Sequence, residues 1–465
     1  MEEHKISRKK FLGLGAAATG AALFSGIGGN AVAQVLPQEN KTALNEYLLI
    51  NVRLEDGFEY NEKNEVIATK TALYTIHIAN GKIKSITTGK SALKLKTVDA
   101  KGLLMLPGLR DMHIHIDKTY YGNGTWNAAP RKGYTVKDMI TLEQKLIPQL
   151  LPDSQYKAEE AIKLMQSQGS YFARCQCNID PVSGLKSLEH LLAALDKNKD
   201  SFGWEIVAFP QHGILYSQSE SLLRESASMG IDFIGGLDPT NVDGNMEKSL
   251  DTMFQIAIDT NKGIDIHLHE SLPSGKSAIE YIIKKTEENK QLQGKTYISH
   301  GFALAKMDTK DLEKIAEQMA NLGIGVVSGI PIGKTIMPIP TLKKYGVKLM
   351  TGTDSIVDHW QPFGTCDMLE KAKLCAQLYG WTDEYNLSRA LHIATKDEIL
   401  PLNDSGVRVW PAVDNEANFI LVKASCSAEA VARLPKREGV FYKGKIIAGA
   451  IGFIGAKVQR LNALY

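Results

Sequence analysis

The chain has 465 residues, of which 44% are hydrophobic and 23% are charged, and its 54 Lys and Arg residues nearly balance its 52 Asp and Glu residues. This composition is typical of a large soluble globular protein and offers no basic surface for a polyanion, which argues against nucleic acid as a partner. The length allows a barrel of about 250 residues together with a smaller domain.

The first 33 residues have the pattern of an export signal. A basic segment at 8–10 precedes an apolar stretch rich in Ala and Gly, and "AVA" at 31–33 offers a small-residue cleavage site before Gln34. The segment "SRKKFL" resembles a twin-arginine signal in which Lys9 stands at the second arginine position. An uncleaved membrane anchor is the alternative, but the glycine-rich core is only moderately apolar. We expect cleavage and an exported, periplasmic protein without stable membrane anchoring.

Two β-rich segments flank the central part of the chain. Strand patterns run over 46–104 with Asn80-Gly81 as a hairpin signal, and a similar pattern returns over 405–455 with a tight turn at Lys443-Gly444. We expect the two segments to combine into one small β-sandwich domain.

The central residues, 105–404, alternate short apolar strands with amphipathic helical stretches such as "SLEHLLAALDK" and "DTKDLEKIAEQMANLG". This alternation predicts an α/β fold, a (β/α)8 TIM barrel. We place its strands at "LLMLPGLRDMHIH", "ARCQCNI", "WEIVAFP", "IDFIGGL", "IDIHLHE", "TYISH", "GIGVVSG" and "KLMTGTD". Because active sites of such barrels lie at the C-terminal strand ends, the polar residues that end these segments are candidates for chemistry.

The cysteines predict no disulfide framework. There are five of them, an odd number, in a chain large enough to be stable without cross-links. Cys175 and Cys177 form a C-x-C pair that alternates as an inner barrel strand does, so we expect buried structural thiols.

Histidines and carboxyl groups collect where the predicted strands end. His113 and His115 end the first strand on one face, because alternate side chains of a strand share a face. Other strand ends contribute Gln211, His267, His269, Glu270, His300 and Asp354. Such a cluster would cost desolvation energy unless a metal or bound water satisfied it, which favours a metal site.

Five segments carry a resemblance to a known family: "HIHID", "VAFPQHGIL", "IDIHLHE", "ISHGFA" and "GTDSIVDHWQPFGTCDML". In order and spacing they resemble the amidohydrolase superfamily, and specifically its cytosine-deaminase-like branch, over residues 46–449. The resemblance implies that one divalent metal is held by His113, His115, His267 and Asp354. Three imidazoles and a carboxylate suit zinc or iron(II).

The resemblance also implies roles around that metal. Glu270 would carry protons to and from a ring nitrogen, His300 would orient the attacking water, and Asp354 would accept its proton. Gln211 would hydrogen-bond the substrate, with Phe209 and Trp360 as apolar walls. Binuclear members of the superfamily have a lysine at the end of the fourth strand, and "IDFIGGLDPTN" contains none, which favours a single metal.

Three further positions have a less definite interpretation. His269 shares a face with His267 and is assigned to substrate contact or to support of the metal ligands, with a purely structural role as the alternative. His212 could border the pocket. Ser355 stands where cytosine deaminases have a second aspartate. Because serine is smaller and uncharged, we expect a wider range of aminated heterocycles as substrates, including those with an N-alkylamine leaving group.

The predicted activity is therefore hydrolytic deamination of a cytosine-like or related N-heterocycle, with release of ammonia. The partners are the small aminated heterocycle and water; the sequence leaves the oligomeric state open, a homo-oligomer included. Two alternatives stay open: an amidohydrolase that opens a cyclic amide, and an exported heterocycle-binding protein without catalysis. Intact Glu270, His300 and Asp354 argue against the second, because binding alone needs no proton carrier.

Overall fold

A computed structural model of the protein describes residues 45–122, 135–333, 335–395 and 398–451. The predicted export signal at 1–33 and the last four residues of the predicted β-domain lie outside these ranges. Within them, none of the helices has both the length and the apolar character that a membrane crossing requires.

The larger sheet is the predicted parallel barrel. Its strands are β6 (Leu109–His115), β7 (Ser170–Asn178), β8 (Gly203–Phe209), β9 (Phe233–Leu237), β10 (Gly263–Leu268), β11 (Thr296–His300), β12 (Gly325–Ser328), β13 (Leu349–Thr351) and β14 (Asp354–Ser355). They are hydrogen-bonded in the order β13-β12-β11-β10-β9-β8-β7-β6-β14. Since β14 follows β13 after two residues and pairs with β6, the sheet closes on itself. The eight predicted strands are thus confirmed, with the eighth in two pieces.

Glycines decide where two of the predicted strands are interrupted. The first predicted strand divides at Gly108, where an added Cβ would come within 2.5 Å of the Tyr171 ring. The part before it, β5 (Leu104–Pro107), pairs with the smaller sheet instead of the barrel. The eighth strand divides at Gly352, where a Cβ would lie 2.4 Å from the carbonyl oxygen of His113. Only glycine permits these close backbone approaches.

Helices alternate with the barrel strands as the sequence periodicity predicts. Their bounds are α1 (Val136–Leu150), α2 (Ser154–Ser167), α3 (Lys186–Asn198), α4 (Glu220–Ser226), α5 (Met246–Thr260), α6 (Ser274–Glu288), α7 (Thr309–Leu322), α8 (Ile339–Lys344), α9 (Met368–Tyr379), α10 (Glu384–Ala390) and α11 (Ser427–Arg433). Helix α7 shows why the boundaries fall where they do. The Asp308 side chain accepts from the Asp311 N–H at its start, and left-handed Gly323 ends it.

The smaller sheet joins the two ends of the described chain. Its strands are β1 (Glu46–Tyr60), β2 (Val66–Ala79), β3 (Lys82–Thr88), β4 (Thr97–Asp99), β5, β15 (Phe419–Val422), β16 (Arg437–Tyr442) and β17 (Lys445–Gly449). Both predicted tight turns, Asn80-Gly81 and Lys443-Gly444, have positive φ angles at both residues, as a two-residue hairpin turn requires. The predicted pairing of the N- and C-terminal segments is confirmed, as one mixed sheet.

The main apolar core lies between the barrel strands and the surrounding helices. A second core fills one side of the smaller sheet, where Phe419 and Phe441 stack with ring centroids 4.3 Å apart. All five cysteines are buried free thiols, and the buried positions of Cys175 and Cys177 agree with the prediction for this pair.

Candidate active site

The four residues predicted as metal ligands lie near the C-terminal ends of β6 and β10 and at the start of β14. The Nε2 atoms of His115 and His267 lie 3.2 Å apart. The Oδ1 atom of Asp354 lies 3.5 Å from Nε2 of His113 and 3.6 Å from Nε2 of His115. The pairing of Asp354 with Ile114 in adjacent strands fixes the carboxylate beside the two histidines. The strand ends therefore bring Asp354 close to His113 and His115, and His115 close to His267.

This arrangement fits a divalent metal. Ligands about 2.0–2.1 Å from a tetrahedral ion lie roughly 3.3 Å from one another. The separations of 3.2, 3.5 and 3.6 Å between these atoms are close to that value. Nε2 of His113 is buried and has no hydrogen-bond partner among the described residues. A buried nitrogen without a partner is costly, and a metal bond would satisfy it. The donor set of imidazoles and one carboxylate is that of zinc and iron(II) sites.

Electrostatics keep the ligands in the forms that bind a metal. Burial, followed by the neighbouring imidazoles, holds the pKa of His267 well below its usual value, so the ring is neutral. Burial likewise lowers the pKa of His115. Burial acts to raise the pKa of Asp354, but its contacts with His113 and His300 hold that pKa well below the usual range. Neutral imidazoles and an ionised carboxylate are therefore available without protonation of the site.

Glu270 follows β10 and is fixed by backbone groups. Its Oε1 accepts hydrogen bonds from the N–H groups of Thr240 at 2.7 Å and Asn241 at 2.8 Å. Its Oε2 is buried and has no partner among the described residues. One oxygen thus holds the side chain while the other is left for an exchangeable proton, which is what a general acid and base requires.

His300 and His269 lie side by side next to the predicted ligands. Their ring centroids are 4.3 Å apart, and the His300 ring lies 4.9 Å from that of His113. His300 also has a nitrogen within 4.8 Å of nitrogens of His113 and His267, close enough to act on a water beside the metal. The Asp238 carboxylate contacts Nδ1 of His269 at 3.0 Å and fixes its ring. The structure thus brings both histidines to the predicted site.

Comparisons with known proteins agree with this geometry. The sequence model of a family described as the amidohydrolase family matches residues 181–448. The uncharacterized protein YahJ of Escherichia coli strain K12 is 50% identical over 96% of this chain and 98% of its own length. The chain belongs to the amidohydrolase family. Amidohydrolases are hydrolases that act on C–N bonds, so the predicted enzyme class is confirmed.

Two solved structures share the fold of this amidohydrolase. The N-isopropylammelide isopropylaminohydrolase from Burkholderia multivorans is 27% identical, with a TM-score of 0.76 and coverage of 87% of this chain and 99% of that chain. The 5-methylcytosine deaminase from Klebsiella pneumoniae shares the fold at 23% identity, with a TM-score of 0.72 and coverage of 89% and 98%. The predicted resemblance to the amidohydrolase superfamily is confirmed by the family match, and these two structures share the fold.

The residues predicted to contact the substrate differ in their burial and in their contacts around the amidohydrolase site. The Phe209 ring stacks on His267 at 3.8 Å and is fully buried, so it supports the imidazole plane. Trp360 is partly buried and packs with the same small cluster of apolar residues. Ser355 is buried and its hydroxyl contacts the Asp358 carboxylate. Their contacts with a substrate remain predictions.

The orientation of Gln211 depends on a residue that the sequence analysis did not single out. Nζ of Lys118 donates to Oε1 of Gln211 at 2.6 Å. Since an ammonium group can only donate, the amide oxygen must face the lysine, which leaves the Gln211 NH2 group for another partner. The position of Lys118, three residues after His115, was the one available signal, but a lysine after a metal motif is normally a surface residue.

Glu143, also missed from sequence, joins the pocket residues from helix α1. Its fully buried carboxylate accepts from Lys118 at 3.2 Å, from Nδ2 of Asn178 at 2.5 Å and from the Trp360 indole, and it lies 2.6 Å from Nε2 of His359. Burial raises its pKa, but Lys118 and the histidine contacts hold the pKa well below the usual value. A charged carboxylate therefore anchors the wall of the pocket. His212, 3.5 Å from Glu143, does border this cluster.

Proposed function

We propose that the protein is a metal-dependent hydrolytic deaminase that removes an exocyclic amine or alkylamine from a nitrogen heterocycle. One observation carries the proposal: histidine and aspartate ligand atoms lie 3.2–3.6 Å apart at the strand ends, and Glu270, three residues after His267, has a buried second oxygen without a partner among the described residues. Binding of a heterocycle needs a shaped cavity but no such proton carrier. A metal cluster with a fixed acid and base is what hydrolysis needs.

When bound, the metal would polarise a water and make it nucleophilic near neutral pH. The residues of the chain supply the remaining functions. Asp354, held ionised, accepts a proton from the attacking water. His300 hydrogen-bonds that water and directs it toward the ring carbon. Glu270, held at Oε1 by two backbone N–H groups, gives its proton through Oε2 to the ring nitrogen and regains one from the hydroxyl group added to the ring carbon. The proton held by Asp354 passes to the leaving amine.

The pocket wall favours a substrate with an acceptor on its ring edge. Gln211 has only its NH2 group left to donate, because its oxygen is bound by Lys118. A ring carbonyl or an unprotonated ring nitrogen would accept from it. Ser355 provides a hydroxyl instead of a second carboxylate, so the position gives no charge to favour a free amino group over an alkylamino group. Both leaving groups are therefore included in the proposal.

The experiment is a screen of metal-loaded protein against oxo-substituted aminopyrimidines, aminotriazines and aminopterins, each with a free and an N-alkylated amine. Release of ammonia or alkylamine, together with the oxo product, is the expected result. A product that keeps all of its nitrogen would instead indicate opening of a cyclic amide. Failure of every compound, in protein shown to contain metal, would contradict the proposal.

Glu270→Gln tests the proton carrier. The glutamine oxygen can still accept from Thr240 and Asn241, so folding and metal content should be unchanged, while the NH2 group cannot accept a proton. We expect turnover to fall by about 100-fold or more. Glu55→Gln is a matched control: the Glu55 carboxylate accepts from the Ser427 N–H and its Oε2 is also buried without a partner, but it lies in the smaller sheet. Full activity in Glu270→Gln would exclude the mechanism.

A further inference from the structure

A buried chain of hydrogen bonds runs from the metal-ligand cluster into the interior of the barrel. Nδ1 of His113 lies 2.9 Å from Oγ of Ser299, and Ser299 donates to Oδ1 of Asp265 at 2.6 Å. Oδ2 of Asp265 accepts from Arg174 at 2.9 Å. Both Asp265 and Ser299 are fully buried. This chain of hydrogen bonds joins strands β6, β11, β10 and β7 below the site.

We infer that Ser299 and Asp265 are positioning residues that fix the tautomer of His113, so that its Nε2 lone pair faces the metal. The inference rests on the proposed function for the role of His113 as a metal ligand. It concerns which nitrogen of a neutral ring carries the proton, and it follows from the donors and acceptors of each group in the chain.

The direction of each hydrogen bond is set by the carboxylate. An ionised carboxylate can only accept, so the single hydroxyl proton of Ser299 points to Asp265. The Ser299 oxygen must then accept from His113, which places the ring proton on Nδ1. The lone pair is left on Nε2, the atom that lies 3.5 Å from Asp354 and has no hydrogen-bond partner among the described residues. Metal-binding histidines are commonly fixed in this way by a hydrogen bond to the other nitrogen.

Arg174 forms a buried ion pair with Asp265 on the side away from Ser299. Its guanidinium group is nearly fully buried, bonded to Asp265 on one side and to Glu205 at 2.8 Å on the other. Its guanidinium carbon lies 4.2 Å from the ring centroid of Phe233 and 4.1 Å from that of Tyr297. A guanidinium cannot lose its proton under ordinary conditions, so a permanent positive charge faces Asp265.

Gln176 supplies a second contact to the same ring nitrogen. Its Nε2 lies 3.3 Å from Nδ1 of His113, and its Oε1 has no partner among the described residues. The two ends of an amide exchange by a half-turn of the group, and this turn would set Oε1 opposite Nδ1. In that orientation the Gln176 contact is satisfied by the same tautomer as the Ser299 contact.

The first test is metal affinity, measured by competition with a chromogenic chelator at one pH. Ser299→Ala removes the acceptor of His113, and we expect metal binding to weaken by about 10- to 100-fold, the range for loss of such supporting contacts. Ser299→Thr keeps the hydroxyl and should retain the wild-type affinity. Ser170→Ala is the matched control, since Ser170 is equally buried on β7 but its hydroxyl has no partner among the described residues. That variant should also bind like the wild type.

Asp265→Asn gives a sharper test because it should reverse the direction of the hydrogen bonds between Asp265, Ser299 and His113. Arg174 can only donate, so the new amide would turn its oxygen to Arg174 and its NH2 group to Ser299. The hydroxyl would then donate to His113 and move the ring proton to Nε2, where it blocks the metal. We expect weaker metal binding than in Ser299→Ala, in a folded protein of the same volume.

The tautomer can be read directly in metal-free protein labelled with 15N-histidine, using His113→Gln to assign the resonances. The expected spectrum shows the proton on Nδ1 in the wild type and on Nε2 in Asp265→Asn. A proton on Nε2 in the wild type, or unchanged metal affinity in both Ser299→Ala and Asp265→Asn, would overturn the inference. Wild-type metal binding without hydrolysis of any heterocycle would remove the proposed function while leaving the positioning role intact.

Discussion

His392 is buried away from the barrel mouth, in the short helical turn Leu391–Ala394. Its Nδ1 lies 2.6 Å from the carbonyl oxygen of Arg389, to which it donates. Burial lowers the pKa of His392 to about 4. The ring of His392 is neutral and is held by this backbone contact. Its effect should be on stability.

That lowered pKa predicts acid sensitivity. The unfolded chain takes up a proton near pH 6.5 and the folded state only near pH 4, so the unfolded state binds more protons in between. Stability is thus full above about pH 6.5 and is lost as the pH falls through this window, by about 2 kcal/mol at about pH 5. His392→Gln should reduce this dependence on pH of the free energy of unfolding, measured by denaturant unfolding at several pH values. Equal acid sensitivity in both proteins would contradict the assignment.

At the scale of elements, the break between β13 and β14 positions Asp354. Gly352 packs against the backbone of His113 so closely that an added Cβ would lie 2.5 Å from the His113 nitrogen. The eighth strand therefore contacts the first at the point where both supply ligands. After this break the chain resumes with Asp354 at a positive φ of 71°, next to the histidines. The interruption is part of how the site is built.

Gly352→Ala should therefore disturb both the barrel and the ligands. The methyl group would push against the His113 backbone, and we expect a loss of about 1–3 kcal/mol in the free energy of unfolding together with reduced metal content. Gly329→Ala, one strand earlier, is the control, because an added Cβ there meets no atom within 4 Å. Thermal denaturation and metal analysis of both variants would show whether the effect is specific to Gly352.

At the scale of the whole molecule, the predicted ligands come from the two ends of the barrel sequence and from its middle. His113 is on the first barrel strand, His267 on the fifth and Asp354 on the last. An ion bound by all three would cross-link distant parts of the chain and bind only the folded state. Such binding stabilises by mass action, by about 2.7 kcal/mol when free metal exceeds its dissociation constant about 100-fold.

Removal of the metal should consequently lower the melting temperature. We expect that a chelator destabilises the wild type, that close to one equivalent of zinc or iron(II) restores it, and that His113→Ala responds to neither. Metal analysis of the purified protein checks the stoichiometry. A value near two would contradict the single-metal interpretation drawn from the absence of a lysine in "IDFIGGLDPTN".

The sequence by itself determined the strand order and the main candidates for chemistry. The alternation of apolar strands with amphipathic helices is a local pattern, and so is the sharing of a face by His113 and His115. In a (β/α)8 barrel the C-terminal ends of the strands meet at one face, independently of the loop conformations. For this reason Glu270, His300 and Asp354 could be chosen from separate segments of the sequence. These features need no knowledge of which side chains touch.

Tertiary structure alone decided the contacts that support those residues. In the sequence Glu143 is one acidic residue in an amphipathic helix, where a glutamate normally faces water. Its five polar neighbours come from four other segments of the chain, and only their joint approach makes burial of its charge acceptable. Ser299 and Asp265 are likewise unremarkable strand residues until the closed barrel sets one against His113 and the other against Arg174. Hydrogen-bond direction depends on the whole set of donors and acceptors, and that set exists only in the folded protein.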